Sequence, residues 1–316
     1  MHGHFLSVLS VYCGKRHLNL KLITMIYLGR ISFKKSFVCT LFLLQFLQPR
    51  DSSNTKLSEV NLLVSEIAGN QLAEEVYSHV FTQLIKNGVP PDYLRTVIAN
   101  PDIQIKPGIV ERWNKPAERL TYDRYRKIFI TDDRLNRGVE FYKINFDLFQ
   151  KVSSYYKVDP FLILSIVGVE SRFGENAQQY SVFNALHTIA HEIPRKKKWV
   201  QKELTAFLRL CYNSSLSTFD IRGSYAGAFG NGQFIPSSFE GYAVDYDKDG
   251  TVHPFEWPDV FASIANYLGK NGYEPNSSNF TEGSKNWKAV LAYNPSGNYA
   301  RVVIEFRNLL KETITP

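Results

Sequence analysis

From Leu57 onward, apolar residues recur at three- and four-residue spacing. "NLLVSEIAGNQL" (61–72) and "EEVYSHVFTQLIKNG" (74–88) each carry an apolar face of helical period, and Gly88 stops the second. "VPPDYLRTVIAN" (89–100) follows, with prolines suited to a helix start. Residues 101–121 lack a period and read as loop. The stretch 121–158 reads as two helices separated near "ITDD", with Thr131 or Asp132 as the cap of the second. Asp159-Pro160 then supplies a cap and a first-turn proline for the apolar helix "FLILSIVGVES" (161–171). Little of the chain alternates with a strand period, and there is no internal repeat. The expected fold is mainly α, with a small sheet at most.

Glu170 stands near the end of that apolar helix. Ile163, Ile166 and Val167 share its face. A carboxyl there is partly desolvated, which favours its protonated form and suits a general acid. The bland alternative is a helix-end glutamate that reaches solvent.

"RGSYAGAFGNGQFIPSSFEGYAVD" (222–245) is stripped of side chains at Gly223, Gly227, Gly230 and Gly232. Backbone of this kind approaches a ligand closely, and Ser224 and Gln233 are its polar groups toward a cleft. A glycine-rich connector is the competing reading. The glycine spacing is not that of a dinucleotide site, and no strand precedes it.

In "DYDKDGTVHPFEWPD" (245–259), Asp245, Asp247 and Asp249 with Gly250 repeat the front half of an EF-hand loop. Thr251 would offer its backbone carbonyl. Glu256 and Asp259 compete as the closing carboxylate. Asp259 is preferred, because Pro258 suits the first position of the exit helix. Without a cation, three such aspartates repel one another; an acidic turn without metal is the alternative.

Charge changes the picture only at the N-terminus. The chain has 37 basic and 30 acidic residues. Seven of the basic ones, and no acid, lie in residues 1–50, so the remainder balances at 30 against 30. A nucleic-acid partner loses its support, and "RKKK" (195–198) reads as solvated surface. Within residues 1–50, "SFKK" (32–35) and "SFVCTLFLLQFL" (36–47) have the form of an export signal, too short to span a bilayer comfortably. Met25 just upstream is an alternative start. Retention of this segment as an anchor leaves membrane association open. Beyond it a single cysteine, Cys211, offers no intramolecular disulfide.

Taken in order, "YRKIFIT" (125–131), "GVESRFG" (168–174), "GSYAGAFGNGQFIPSSFEGYAVDYDKDG" (223–250), "SIANYLGKNGY" (263–273) and "AYNPSGNYARVV" (292–303) resemble the lytic murein transglycosylase B family, glycoside hydrolase family 103. The resemblance implies a lysozyme-like core packed beside a helical domain. It implies cleavage of the MurNAc–GlcNAc β-1,4 bond of peptidoglycan, leaving a 1,6-anhydro-MurNAc end. Carried over motif by motif, it makes Glu170 the single catalytic acid. Ser224, Gln233, Tyr125, Tyr267, Tyr293, Asn294 and Tyr299 become residues of the cleft. Asp245, Asp247, Asp249, Thr251 and Asp259 become ligands of a structural Ca2+. Between Tyr273 and Trp287 a short linker replaces the insertion of longer members.

The expected division is a targeting segment (1–50), a helical region (51–149), a catalytic core (150–275) with the cation loop at 245–259, and a C-terminal segment (276–316) completing the cleft. An exported, periplasmic monomer acting on glycan strands is expected. A hydrolytic muramidase and a non-catalytic peptidoglycan-binding protein are the alternatives; Glu175 and Glu192 are the looser candidates for a second carboxylate.

Overall fold

The fold is organised around one helix that is apolar on every side. In a computed structural model of the chain, residues 52–315 are described, apart from 116 and 177. The expected targeting segment lies outside them. Helix α8 (Pro160–Ser171) is buried at every residue from Phe161 to Val169. A helix without a polar face must be surrounded; each side chain of this kind contributes about 1.5–3 kcal/mol when fully buried. The Asp159 carboxylate caps α8 by accepting from Phe161 N, with Pro160 in the first turn, as the sequence predicts.

The surrounding helices come from both directions along the chain. Before α8 lie α1 (Ser52–Ile67), α2 (Gln71–Lys86), α3 (Pro91–Ile98), α4 (Pro107–Asn114), α5 (Tyr122–Phe129), α6 (Asp132–Ile144) and α7 (Phe146–Tyr156). After it lie α9 (Val182–Glu192), α10 (Lys197–Asn213), α11 (Pro236–Tyr242), α12 (Trp257–Lys270), α13 (Lys285–Tyr293) and α14 (Gly297–Ile314). α14 packs along α8, α2 packs on α10, and α7 packs on α12. Gly168 permits the first of these contacts, since a Cβ there would stand 2.7 Å from both Phe173 and Phe306. Lys56–Pro316 forms one compact unit. The one sheet among the described residues has two short antiparallel strands, Tyr180–Ser181 against Arg222–Gly223.

Two expectations need correction. Residues 101–121 are not all loop: α4 and a 3-10 turn (Ala117–Arg119) lie there. Residues 121–158 form three helices, not two. Thr131 caps α6 as expected, accepting from Arg134 N, but the chain breaks again at Asn145. Its side chain donates to Phe141 O and so satisfies a helix-end carbonyl. The apolar period runs through this break without a sign of it, and Ile144 is left 81% exposed.

A buried polar cluster fastens α2 to α9. The Tyr77 hydroxyl and His187 Nδ1 share a 2.7 Å hydrogen bond. His191 Nδ1 donates to His187 O, and its Nε2 accepts from Gly69 N. Burial pushes the His187 pKa down to about 3.

Candidate active site

After the buried run from Phe161 to Val169, Glu170 is where α8 regains partial exposure. The helix ends abruptly behind it: Arg172, Phe173 and Gly174 all take positive φ. A left-handed non-glycine residue costs roughly 1–2 kcal/mol, so two in succession need support. Phe173 supplies it by packing against Phe141 and Phe306, and Arg172 by pairing with Asp133 at 2.6 Å. The turn fixes where Glu170 stands.

One oxygen of Glu170 is held from the far end of the chain. Tyr299 on α14 donates from its hydroxyl to Oε1 at 2.6 Å. Burial and the nearby carboxylate raise the Tyr299 pKa well above its ordinary value. The Tyr293 ring lies parallel to Tyr299, with centroids 6.5 Å apart. Tyr293 donates to Gly232 O at 2.6 Å, and Tyr267 donates to Ala292 O at 2.7 Å.

The glycine-rich segment folds into a turn facing this array. Phe229 and Phe234 pair across it, and Gln233 at its exit adopts φ 51°. Gln233 Nε2 donates to Gly230 O, which leaves its carbonyl oxygen and second N–H toward the cleft. Ser224 Oγ accepts from Ala226 N and Ala228 N, so its hydroxyl hydrogen remains available to donate.

Two cavities meet at Glu170, Ser224, Tyr225 and Gln233. One, of about 330 Å³, runs past Arg112, Asn176, Gln178 and Tyr180. The other, of about 760 Å³, runs past Tyr267, Tyr293, Asn294, Trp113, Trp199 and Lys196. Together they make a cleft with Glu170 at its middle. Among the described residues Glu170 is the one acid that lines either cavity. Tyr125 and Tyr299 are buried and line neither. Glu175 is held outside by Arg137 and by Arg172, the latter at 3.7 Å. Glu192 is exposed at the end of α9.

Several wall residues escaped the sequence reading. Trp113 meets Trp199 and Tyr225 edge-on, each at 5.7 Å, and the Lys196 ammonium lies 4.4 Å from the Trp113 ring centre. Arg195 and Lys196 belong to the run expected to be solvated surface, yet both line the larger cavity. Trp199, directly after that basic run, was the available signal; Trp113, far upstream, gave none.

The cation loop lies behind the glycine-rich turn. Carboxylate oxygens of Asp245, Asp247 and Asp259 lie within 4.8 Å of one another. Asp245 Oδ1 is buried without a hydrogen-bond partner, and Asp259 is 1% exposed. An orphaned buried oxygen beside two more carboxylates fits a hard cation. Asp249 turns elsewhere, toward Thr251 N and His253, and neither it nor Thr251 joins the cluster of side-chain oxygens. Glu256 is exposed and caps α12, which begins at Trp257, one residue earlier than Pro258 predicts.

The mainly α, lysozyme-like fold has counterparts in solved structures. Lytic transglycosylase SLT35 of Escherichia coli, solved in complex with calcium, is similar at TM-score 0.70 and 23% identity, covering 79% of this chain and 96% of that one. SltB3 of Pseudomonas aeruginosa, solved with NAG-anhNAM-pentapeptide, is similar at TM-score 0.66 and 23% identity, covering 77% and 80%. The membrane-bound lytic murein transglycosylase B of Escherichia coli (strain K12) is 37% identical over 150 residues. That stretch is 48% of this chain and 42% of the relative, so the match spans less than half of the curated relative's length. The sequence profile described as the transglycosylase SLT domain matches residues 73–282, more than half of the chain. The chain belongs to the transglycosylase SLT domain family.

Proposed function

We propose that the protein is a lytic transglycosylase of peptidoglycan, with Glu170 acting first as acid and then as base. The observation that carries this reading is that Glu170 is, among the described residues, the one carboxylate on a long cleft. Hydrolases of either stereochemistry use two carboxylates, about 5–5.5 Å or 6.5–9.5 Å apart. Nothing on this cleft supports a hydrolytic second reading, since Glu175 is engaged by Arg137 and Arg172.

The chemistry balances without water. Protonated Glu170 gives its proton to the glycosidic oxygen as the C1–O bond to GlcNAc breaks. The C6 hydroxyl of the same MurNAc attacks C1, and Glu170, now a carboxylate, takes that hydroxyl's proton. A nucleophile on the same sugar ring has a high effective concentration. Tyr299 holds Oε1 of Glu170 and so orients the carboxyl that carries the travelling proton. Ser224 and Gln233 present polar groups to the sugar from the glycine-rich turn, and Tyr267, Tyr293 and Asn294 wall the cleft beside them. Charge developing at C1 is stabilised by dipoles fixed in this way. On this reading residues 276–316 complete a cleft begun by 150–275, with 51–149 as its helical flank.

A Ca2+ held by Asp245, Asp247 and Asp259 would brace the loop and take no part in bond cleavage. Its place behind the turn, and the calcium complex of SLT35, support this. On this reading the protein works in the periplasm, as a monomer on glycan strands. The NAG-anhNAM-pentapeptide bound by SltB3 is what such a reaction would leave. Mass spectrometry of muropeptides released from purified sacculi tests the proposal. Anhydro ends, lighter than reducing ends by one water, are expected from the parent. Glu170→Gln should lower release by on the order of 10²–10⁴ or more, the usual cost of losing a general acid. Reducing ends, or near-parental activity of Glu170→Gln, would overturn the assignment.

A further inference from the structure

Away from the cleft, the outer face of α7 and the start of the cation loop form an open groove of about 720 Å³, lined by Gln150, Lys151, Ser154, Tyr155, Lys157 and Tyr246. It shares no residue with the cavities at Glu170. Tyr155 is 73% exposed, an unusual position for a large aromatic ring. It does not stand alone: its ring meets Tyr156 at 4.8 Å and Tyr246 at 6.3 Å. The aromatic floor is therefore braced from two elements. Around it stand an amide, a hydroxyl and two ammonium groups. Neither Lys151 nor Lys157 has an ion-pair partner among the described residues.

Lys157 carries a second signal. It closes α7 in the left-handed region, at φ 59°. Glycine is the usual residue there, because it lacks the Cβ that makes this conformation costly. A lysine at that position is kept against local backbone preference, and its side chain forms one edge of the groove.

We infer that this groove is a second docking site for peptidoglycan strands, with sugar faces on Tyr155 and Tyr246 and stem-peptide carboxylates at Lys151 and Lys157. The inference rests on the proposed function. Ring faces suit pyranose rings, since one side of a tyrosine is apolar and its rim is polar. The two unpaired cations complement a carboxylate-bearing glycopeptide and exclude a purely apolar occupant. On a polymer, a second contact makes cleft binding effectively intramolecular. A short fragment cannot reach both sites and gains nothing.

The test compares Tyr155→Ala, Lys151→Ala and Lys157→Gly, singly and together, on two substrates. In a Glu170→Gln background, binding of the combined variant to purified sacculi should fall by about 10²-fold, the lower end of what a second site contributes. With Glu170 intact, cleavage of sacculi should fall in step, while cleavage of short soluble glycan fragments stays at the parental rate. Lys157→Gly should melt no lower than the parent, because it relieves the left-handed turn; that excludes misfolding as the cause. Equal binding of sacculi by parent and combined variant would overturn the groove. Loss confined to the lysine variants, with Tyr155→Ala unaffected, would do so too, as it would mean unspecific charge attraction. A parent that cleaves no fragment would instead sink the reading of the cleft, and the binding comparison would still judge the groove.

Discussion

Tyr299 donates a 2.6 Å hydrogen bond to Oε1 of Glu170 across 129 positions of sequence. α14 packed along α8 brings in this hydroxyl, which helps to orient the carboxyl at the helix end. Tyr299→Phe removes the hydroxyl and little volume. It should lower kcat by roughly 10- to 10²-fold, since orientation of a reacting group is worth several kcal/mol, with KM for soluble fragments changed less than threefold. Steady-state kinetics on such fragments checks this. A rise in KM at constant kcat would make Tyr299 a sugar contact and not a positioning residue.

The cation loop separates two kinds of aspartate. Asp259 is buried and accepts from Tyr246 N and His253 N at 2.8 and 2.7 Å. Asp247 is exposed, with an Asp249 N contact at 3.2 Å. Asp259→Ala should therefore destabilise the protein with or without Ca2+, by about 1–3 kcal/mol for each buried N–H left unpaired. Asp247→Ala should leave the metal-free protein unchanged and abolish the rise in melting temperature that Ca2+ produces by binding the folded state. Melting curves with Ca2+ and with chelator decide the matter. Identical curves for the parent under both conditions would remove the site.

How much of this was legible follows from the range of each interaction. The cap and first-turn proline of α8, the N-cap at Thr131 and the acidic loop are local, so short stretches of sequence carry them. The break at Asn145 is masked because apolar spacing continues across it; the Asn145 side chain bonded to Phe141 O and the packing of Phe149 on Tyr142 accompany the turn. The cleft was half legible. Ser224, Gln233, Tyr267, Tyr293 and Asn294 do meet at Glu170. Tyr125, carried over with them, is buried off the cleft wall. Trp113, Trp199 and Lys196 belong to that wall through contacts between residues about 85 positions apart, which no spacing rule reaches.

The histidine cluster makes stability depend on acid. His187 is held neutral in the folded protein, with its pKa pushed from 6.5 to about 3 by burial. Below about 6.5 the unfolded chain takes up a proton that the folded protein refuses, so stability falls as pH falls from there toward 3. The slope from one such group is at most about 1.4 kcal/mol per pH unit. His187→Gln should flatten the loss between pH 6 and 4, at a cost in stability at pH 7 from the altered bond to Tyr77. Denaturant midpoints at pH 7, 6, 5 and 4 measure it. A parallel decline in parent and variant would show that other groups control the acid limb.

Asn231 ties the cation loop to the cleft by two hydrogen bonds. Asn231 lies in the turn between Gly230 and Gly232; its backbone N–H donates to Pro254 O and its side chain to Phe255 O, both at 2.8 Å. Gly230 lies so close to the same loop that a Cβ would stand 2.5 Å from Pro254 O. On the other side Tyr293 holds Gly232 O. The turn that presents Gln233 is thus gripped between the loop and the tyrosine array. Asn231→Ala keeps the backbone bond to Pro254 O but removes the side-chain bond and leaves the Phe255 carbonyl without its donor, at about 1–3 kcal/mol if it stays dry. The variant should lose cleavage of soluble fragments by about five- to twentyfold, the effect of loosening a group that positions substrate. Chelator should cause a smaller loss of the same kind in the parent and add less in the variant, because the side-chain half of the link from loop to turn is already gone. Full activity of Asn231→Ala, or a chelator effect as large in the variant as in the parent, would mean that loop and cleft are energetically independent.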